Sequence, residues 1–312
     1  MHNTIAFVFP GQGSQTVGML SDFAEHNIVK NTFEEASSAL GYDLWQLIAQ
    51  GPNETLNKTH HTQPALLTAS VAVWRLWCSE TEIKPCVIAG HSLGEYSALV
   101  CAEVISLTDA VKLVEQRGLF MQASVPEGVG AMAAIIGLDD QTIINTCTKA
   151  QNNDVVAAVN FNSPGQVVIA GHKAAVERAG ILCKDAGAKR VLPLPVSVPS
   201  HCALMKDAAD KLAIELEKIT FNTPVISVVN NVDVAIEESS EAIKAALIKQ
   251  LYSPVRWSET ISKLSNDGVT TIIEVGPGKV LQGLIKRIDK SITCVSVNTV
   301  DSFAKALDVV QP

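Results

Sequence analysis

The chain has 312 residues, a formal net charge of -8, 47% hydrophobic residues and 18% charged residues. This length suffices for one large α/β domain with an inserted subdomain, and the composition is that of a compact enzyme rather than a disordered chain. No basic stripe with interleaved aromatic residues offsets the negative charge, so a nucleic-acid partner is not expected. The longest apolar runs, such as 131–138, cover about eight residues, far short of the roughly 20 that a membrane-spanning helix requires.

Cysteine usage and the N-terminus indicate the compartment. The seven cysteines include no CxxC pair, a distribution that fits neither a disulfide framework nor a zinc site. At the N-terminus no basic region precedes an apolar segment, and the run from Ile5 to Phe9 stops at Pro10, so a signal peptide is not expected. We therefore predict a cytoplasmic protein that does not bind a membrane.

In chain order, the first half of the sequence predicts strands and helices in alternation. A strand at 5–9 is followed by a glycine-rich turn at 10–15, soon after which a helix is expected to begin. Apolar residues recur at helical spacing over 62–78, where Pro64 suits a first helical turn. The next elements are the most informative, and they are a strand at 86–89, a sharp turn at 90–94 and a helix at 95–103.

From about residue 125 onward the pattern changes to short elements in the order β-α-β-β-α, which is typical of a small ferredoxin-like insertion. The strands are predicted at 131–136, 155–159 and 167–170, and the helices at 140–150 and 173–186. Strands at 225–229 and 271–275 then return to the large unit. The sequence thus predicts an α/β fold, in which an α/β-hydrolase-like large domain with a parallel sheet (1–124 and 198–312) carries a ferredoxin-like subdomain (125–197).

The pentapeptide Gly90-His91-Ser92-Leu93-Gly94 has the G-x-S-x-G form of a nucleophile elbow. A serine at such a turn presents its hydroxyl at a helix N-terminus, where free backbone N–H groups stabilise an oxyanion. The N–H of Leu93 is the natural first donor. A loop without chemistry is the alternative for the pentapeptide alone, and the flanking strand and helix favour the catalytic interpretation.

A serine hydroxyl is a weak nucleophile near neutral pH and needs a base, most often histidine. Among the seven histidines, His91 adjoins the serine but its side chain is expected to diverge from it, and His60 and His61 lie in a polar stretch. His201 follows an extended segment and precedes a helix predicted to begin near Ala203, a position from which an imidazole can reach across a cleft. On spacing alone, a structural role for His201 stays open.

Six motifs stand out along the chain. They are Pro10-Gly11-Gln12-Gly13-Ser14-Gln15, Gly90-His91-Ser92-Leu93-Gly94-Glu95-Tyr96, Gln116-Arg117-Gly118, Asn160-Phe161-Asn162-Ser163-Pro164-Gly165, Pro199-Ser200-His201 and Glu274-Val275-Gly276-Pro277-Gly278. Their order and approximate spacing are those of one family: the chain closely resembles the malonyl-CoA:acyl carrier protein transacylases across nearly its full length. Agreement of six ordered motifs exceeds what chance supplies.

The resemblance implies a catalytic dyad in which Ser92 is the nucleophile and His201 its base. It also implies that the backbone carbonyl of Gln250 orients the imidazole, where hydrolases use a carboxylate. The backbone N–H groups of Gln12 and Leu93 would form the oxyanion hole. The expected reaction moves a malonyl group from malonyl-CoA to the thiol of acyl carrier protein by way of the serine, with no metal and no bound cofactor.

Arg117 lies 25 residues after the predicted nucleophile, where a second helix could return to the pocket. From the sequence alone it would be a surface arginine, whereas the resemblance implies that its guanidinium binds the malonyl carboxylate with two parallel hydrogen bonds. Met121 and the loop residues Asn160 and Asn162 are expected to line the pocket or the pantetheine channel, with a structural role as the alternative. Ser200 stands where malonyl-selective polyketide acyltransferases carry phenylalanine, which leaves tolerance of a methyl branch open.

An acidic carrier protein would dock on local positive charge, because such charge steers association despite net repulsion. Lys189, Arg190, Lys286 and Arg287 are the candidate docking residues, with ordinary solvated surface as the alternative. Malonyl-CoA and acyl carrier protein are the partners that the resemblance implies. The chain is expected to be a monomer.

Two other functions compete with the transacylase. A serine esterase or thioesterase should carry an acid between serine and histidine at a strand end, yet Asp139, Asp140, Asp154 and Asp185 all fall inside the predicted insertion. The second is a catalytically silent module that only binds the carrier protein. Such a module would need neither the serine nor the histidine.

Overall fold

The protein is built around two β-sheets with helices packed against them, and the computed structural model describes residues 4–196 and 198–311. The strands are β1 (Ile5–Phe9), β2 (Val87–Gly90), β3 (Gly130–Ile136), β4 (Val156–Ser163), β5 (Gln166–His172), β6 (Arg190–Pro193), β7 (Ser227–Val229), β8 (Thr271–Val275) and β9 (Thr293–Val297). The helices are α1 (Asn27–Leu40), α2 (Leu44–Gln50), α3 (Asn53–Leu56), α4 (Thr59–Glu80), α5 (Gly94–Cys101), α6 (Leu107–Ser124), α7 (Asp140–Ala150), α8 (Lys173–Asp185), α9 (Lys206–Leu216), α10 (Ser240–Gln250), α11 (Trp257–Asn266), α12 (Val280–Ile288) and α13 (Val300–Val310).

The larger sheet is parallel, with its described strands in the order β7-β2-β1-β8-β9. Successive side chains of its central strand β1 pack into two apolar clusters on opposite faces of the sheet. Phe7 and Phe9 belong to one cluster, and Ala6 and Val8 belong to the other. Burial on both faces is typical of a parallel sheet covered by helices. The carboxyl ends of these strands share one edge, which is where α/β sheets place their sites.

The smaller sheet is antiparallel, with the strand order β4-β5-β3-β6. Along the chain its elements follow one another as β3, α7, β4, β5, α8 and β6. Helices α7 and α8 pack on one face, where Ile135 and Ile143 belong to one apolar cluster. On the other face Met132 packs in a cluster with Cys202. The small sheet therefore rests against the segment that carries the predicted base.

Strand β4 also pairs with the segment that follows α10. The N–H of Phe161 donates to the carbonyl of Val255 at 3.0 Å, and the N–H of Val255 donates to the carbonyl of Val159 at 2.8 Å. The contact is a short parallel bridge centred on Asn160 and Val255. These hydrogen bonds fix the antiparallel sheet against the part of the chain that carries the parallel one.

The predicted combination of helices with a parallel sheet and a separate second sheet is confirmed, but several details of the prediction are wrong. Strand β6 is absent from the predicted order, because it has only four residues, is mostly exposed and ends in Pro193, all features of an edge strand. The first α-helix starts only at Asn27, after one 3-10 turn at Ser21–Phe23. Helix α4 begins at Thr59, so Pro64 lies inside the helix rather than in its first turn.

The boundaries of the two predicted domains stay a prediction. The antiparallel sheet and its helices run from Gly130 to Pro193, inside the predicted range 125–197. Residue 197 itself lies outside the described residues, as do residues 1–3 and 312.

Each of the seven cysteines is free. In the described parts of the chain, no helix is both long and apolar enough to cross a membrane.

Candidate active site

Ser92 lies at the turn between β2 and α5, at the carboxyl edge of the parallel sheet. Its backbone φ of 51° falls in the left-handed region, which costs a non-glycine residue roughly 1–3 kcal/mol. Gly94 permits the turn, because a Cβ at this position would lie 2.1 Å from the carbonyl oxygen of Phe9. The N–H of Gly94 closes the turn by donating to the carbonyl of His91 at 2.9 Å. The local sequence thus holds the serine out of the strand, where it lines a cavity.

The hydroxyl of Ser92 and the imidazole of His201 form a hydrogen-bonded pair. Ser92 Oγ lies 2.8 Å from His201 Nε2, and His201 Nδ1 lies 2.7 Å from the backbone carbonyl oxygen of Gln250. A carbonyl only accepts hydrogen bonds, so Nδ1 carries the proton and Nε2 accepts the serine O–H. This is the geometry of a nucleophile and its general base, with a carbonyl in the position that a carboxylate takes in hydrolases.

His201 is buried and uncharged. Burial, reinforced by the positive charge of Arg117, lowers the pKa of His201 to about 3, although the hydrogen bond to the carbonyl of Gln250 opposes the shift. The segment that carries His201 is anchored to the end of α10, because its N–H donates to the carbonyl of Leu251 at 2.9 Å. Its Nε2 is therefore unprotonated throughout the neutral pH range, as a group that accepts the serine proton must be.

The two predicted oxyanion donors face the same space as the dyad. Gln12 and Leu93 line, together with Ser92 and His201, a cavity of about 120 Å³. Among the residues that the structure describes, none accepts a hydrogen bond from the backbone N–H of Gln12 or Leu93. Leu93 immediately precedes α5, where backbone N–H groups are unpaired and the helix dipole favours negative charge. Both N–H groups are therefore available to an oxyanion.

Arg117 lies on α6 and is only 2% exposed, so it is not the surface arginine that its residue type alone suggests. Its NH1 donates to Oε1 of Gln63 at 2.7 Å, and its NH2 donates to Oε1 of Gln250 at 3.0 Å. The guanidinium lies over the ring of Tyr96, 5.4 Å from the centroid. Burial lowers the pKa of Arg117, and the neighbouring Tyr96 and Glu95 oppose that shift. A fixed cation thus lines the cavity that contains the dyad.

A buried polar network that the sequence analysis did not single out holds these groups in place. Oδ1 of Asn231 accepts from the N–H of Ser92 at 2.6 Å, and its Nδ2 donates to the carbonyl of Gly90 at 2.6 Å. Gln250 Nε2 donates to Oε2 of Glu95 at 2.8 Å and to the carbonyl of Ser92 at 3.1 Å. Asn231 follows shortly after β7, at the carboxyl edge where sites form, and that position is a usable sequence signal. The side chain of Gln250 carries no such signal.

Two of the three further residues predicted to contact substrate line the cavity. Met121 and Asn160 are on its wall, and Met121 Sδ accepts from Nε2 of Gln63 at 3.7 Å. Asn162 is not on the wall, because its Oδ1 lies 2.8 Å from Nε2 of His91. Both asparagines belong to β4 rather than to a loop, in a stretch where the strand register is irregular. Asn162 therefore positions the residue that precedes the nucleophile.

The four cations predicted to dock the carrier are all exposed and share one end of the antiparallel sheet. Arg190 and Gln166 pair with the same residue of β3, so they lie in one row across the sheet. Arg287 on α12 hydrogen bonds to Gln166, which brings it to that row. Lys189 and Lys286 directly adjoin these two arginines in the sequence. We refer to Lys189, Arg190, Lys286 and Arg287 as the basic edge.

The dyad cavity adjoins a larger outer cavity of about 740 Å³. Gln12, Thr59, Leu194 and Val196 line both, so the outer cavity is an approach to the dyad. Ser200 lines the inner cavity.

Within residues 4–196 and 198–311, no group of three or more histidine, cysteine, aspartate or glutamate side chains could hold a metal ion.

The chain is similar to acyltransferases of known sequence. The model of the acyl transferase domain matches residues 6–304. The malonyl CoA-acyl carrier protein transacylase of Escherichia coli (strain K12) is 64% identical over 305 residues, which cover 97% of this chain and 99% of that protein. The protein of the same name from Haemophilus influenzae is 66% identical over 300 residues, or 96% of each chain. This chain belongs to the malonyl CoA-acyl carrier protein transacylase family.

Solved structures of the family have the same architecture. An acyl carrier protein S-malonyltransferase from Vibrio cholerae gives a TM-score of 0.95 at 62% identity, covering 99% of this chain and 100% of that one. A malonyl-transacylase solved in complex with the acyl-carrier protein of a type II polyketide synthase gives a TM-score of 0.97 at 59% identity, covering 98% and 99% of the two chains. The family resemblance in the six motifs is therefore confirmed.

Proposed function

We propose that this acyltransferase transfers the malonyl group of malonyl-CoA to the phosphopantetheine thiol of acyl carrier protein, and so supplies extender units for fatty-acid synthesis. One observation carries the proposal: Ser92, His201 and Arg117 line a single cavity. A dyad alone would serve any acyl group, whereas a dyad beside a fixed cation favours an acyl group with a free carboxylate. The names of the relatives from Escherichia coli and Haemophilus influenzae point to the same substrate.

In the first half-reaction, Ser92 Oγ attacks the thioester carbonyl while His201 Nε2 takes its proton. The N–H groups of Gln12 and Leu93 stabilise the negative oxygen of the tetrahedral intermediate. The intermediate collapses with cleavage of the carbon–sulfur bond, and the proton on the imidazole passes to the departing thiolate. The products are a malonyl ester on the serine and free coenzyme A.

In the second half-reaction, the pantetheine thiol of the carrier approaches through the outer cavity and loses its proton to His201. The thiolate attacks the malonyl ester, the carbon–oxygen bond breaks, and Ser92 regains the proton from the imidazole. The carbonyl of Gln250 keeps Nδ1 protonated in both half-reactions, so the same nitrogen serves as base and then as acid. The cycle is therefore ping-pong.

Arg117 selects the acyl group in this scheme. Its guanidinium has five N–H groups, of which the two hydrogen bonds to Gln63 and Gln250 occupy two. The others suit a carboxylate, which a guanidinium binds with two parallel hydrogen bonds. Met121 and Asn160 would contact the rest of the acyl group or the pantetheine arm. Ser200 lies on the cavity wall, where malonyl-selective polyketide acyltransferases carry the larger phenylalanine, so tolerance of a methyl branch stays open.

The basic edge is the proposed docking surface for an acidic carrier protein. Neighbouring strands lie about 4.8 Å apart, so Arg190 is roughly two strand spacings from Gln166, the partner of Arg287. A single small partner could therefore contact both arginines. The relative solved with an acyl-carrier protein supports a carrier as the partner.

We further propose a monomeric, cytoplasmic enzyme that needs neither a metal nor a bound cofactor, because the dyad supplies both nucleophile and base. An α/β-hydrolase-like character for 1–124 and 198–312 is supported by the strand, serine turn and helix around β2. A ferredoxin-like character for 125–197 is supported by the β-α-β-β-α-β order of its elements.

Intact-protein mass spectrometry tests the proposed function. Wild-type protein mixed with malonyl-CoA is expected to gain one malonyl group and to lose it when phosphopantetheinylated carrier is added, whereas Ser92→Ala gains none. An adduct lost to water at the same rate without carrier would indicate the esterase. Failure of the wild type to form an adduct would indicate a module that only binds the carrier.

A further inference from the structure

Glu95 is a buried carboxylate close to the dyad. The proposed reaction assigns no role to Glu95. It is 2% exposed and lies in the first turn of α5. Its Oε2 accepts both the N–H of Asn231 at 2.9 Å and Nε2 of Gln250 at 2.8 Å. None of the described residues donates a hydrogen bond to its Oε1. A buried carboxylate is costly unless something offsets its charge, so its position needs a reason.

Gln250 connects Glu95 to Arg117 through its side-chain amide. Oε1 of the amide accepts from NH2 of Arg117, and Nε2 donates to the carboxylate. A guanidinium only donates and an ionised carboxylate only accepts, so this is the one orientation of the amide that satisfies both neighbours. The backbone carbonyl of the same glutamine orients His201. Gln250 therefore holds the selecting cation with its side chain and the base with its main chain, and Glu95 anchors it.

The charges around Glu95 are few. Burial raises the pKa of Glu95 to about 7, while the hydrogen bonds from Gln250 and Asn231 and then the charge of Arg117 oppose the shift. Tyr96 is the neighbouring titratable group on α5, and burial raises its pKa to about 12. From the segment after β7, Glu237 lines with Glu95 a small cavity of about 10 Å³, close to the space of one water molecule.

The guanidinium of Arg117 and the carboxylate of Glu95 together carry no net charge when both are ionised. A malonyl carboxylate arriving at the guanidinium then leaves the buried site with one excess negative charge. If Glu95 is protonated, the same arrival leaves the site neutral. Two carboxylates that share a buried cation disfavour each other, so one of them tends to take up a proton.

We propose that Glu95 is a positioning residue that sets acyl selectivity: through Gln250 it holds Arg117 in place, and its negative charge weakens the hold of that arginine on a malonyl carboxylate. The inference rests on the proposed malonyl transfer. It implies that malonyl binding and proton uptake by Glu95 favour each other, because linkage between two ligands is reciprocal. The preference for malonyl over acetyl groups should therefore fall as the pH rises above 7.

The test measures kcat/KM for loading of Ser92 from malonyl-CoA and from acetyl-CoA between pH 6.5 and 8.5. The ratio of the two constants cancels the titration of the coenzyme phosphates, because both substrates carry them, and His201 stays uncharged over this range. In the wild type the ratio should fall about 3- to 10-fold over this range, since a pKa shift of one unit corresponds to a tenfold change in affinity. In Glu95→Gln, whose amide oxygen can still accept both hydrogen bonds, the ratio should stay constant and exceed the wild-type ratio at pH 8.5.

Glu274→Gln is the matched control. Glu274 is a second fully buried carboxylate whose pKa burial also raises to about 7, but it accepts from the N–H groups of Leu281 and Gln282 at the start of α12 and not from the network of Gln250. This variant should keep the wild-type dependence of the ratio on pH.

Three results would overturn the proposal. They are a wild-type ratio that does not change with pH, a Glu95→Gln ratio that changes as the wild-type ratio does, and an equal loss for both substrates in Glu95→Gln. The first needs no variant and so decides the matter even if Glu95→Gln does not fold, which its melting temperature would reveal. Absence of any malonyl ester on wild-type Ser92 would instead refute the proposed function itself.

Discussion

The two ends of the active-site cavity are built in different ways. At the nucleophile end the main chain sets the geometry, with Ser92 at a φ of 51° and a glycine packed on the carbonyl of Phe9. Two residues of the cavity wall, Gln12 and Leu93, have backbone N–H groups that no described residue accepts. At the selecting end side chains set it: Arg117 is held by Gln63 and Gln250, which lie 54 and 133 positions away in the sequence. In the proposed reaction, the first construction acts on every acyl group, and the second acts on the part of the substrate that distinguishes one acyl group from another.

This contrast makes the ratio of malonyl to acetyl transfer a direct measure of which end a residue belongs to. A change at the nucleophile end should lower both rates together and leave the ratio unchanged. A change at the selecting end should alter the ratio. By their contacts, Ser92, His201 and Gly11 belong to the nucleophile end. Arg117 belongs to the selecting end.

Ser92→Ala should have the largest effect, and it should be the same for both acyl groups. Loss of the nucleophile of a serine and histidine pair costs about 10⁴-fold or more in kcat, since the two residues act as one unit. His201→Ala should cost a similar factor for the same reason. Stopped-flow or mass-spectrometric measurement of enzyme acylation gives both numbers. An acyl adduct that persists on another residue in Ser92→Ala would show that the dyad is not the acylation site.

Arg117→Ala should mainly affect malonyl transfer. Two hydrogen bonds to a carboxylate, each worth about 1.5–3 kcal/mol, correspond to a loss of roughly 10²- to 10⁴-fold in kcat/KM for malonyl-CoA. Acetyl transfer should change by no more than about threefold. Arg117→Lys keeps the charge without the planar fork and should lie between the two. Equal losses of kcat/KM for malonyl-CoA and acetyl-CoA would show that Arg117 acts at the nucleophile end and does not select the acyl group.

Gly11→Ala should impair transfer of both acyl groups equally, although Gly11 lies 79 positions before Gly90, where the motif of the nucleophile begins. A Cβ on Gly11 would lie 2.5 Å from the carbonyl oxygen of His91, so the turn that carries the N–H of Gln12 must shift. Because loss of one oxyanion donor costs about 10²- to 10³-fold, a displaced donor should cost roughly 10- to 100-fold. Gly283→Ala, on α12 with nothing within 4 Å of its Cβ, is the control and should be silent. A change in the malonyl-to-acetyl ratio in Gly11→Ala would contradict the assignment.

The same contrast explains what the sequence could predict. The elbow is encoded in five consecutive residues between a strand and a helix, and both flanking elements occur where the hydrophobic pattern places them. The network is not local: the hydrogen bond from Gln250 to Glu95 joins residues 155 positions apart, and a single sequence holds no record of such contacts. Strand β6 was not predicted because an exposed edge strand of four residues lacks the alternation of apolar and polar residues that indicates a strand.

Charge reversal at the basic edge should have the smallest effect, and it should change the function of neither end of the cavity. Arg190→Glu is expected to raise the KM for the carrier about 2- to 5-fold at low salt, the usual range for one exposed charge, and added salt should erase the difference. Loading from malonyl-CoA should be unchanged. Lys305→Glu is the control, because α13 packs on the opposite face of the parallel sheet from α12, which carries Arg287. If both variants weaken the carrier step equally, net charge rather than the basic edge attracts the carrier.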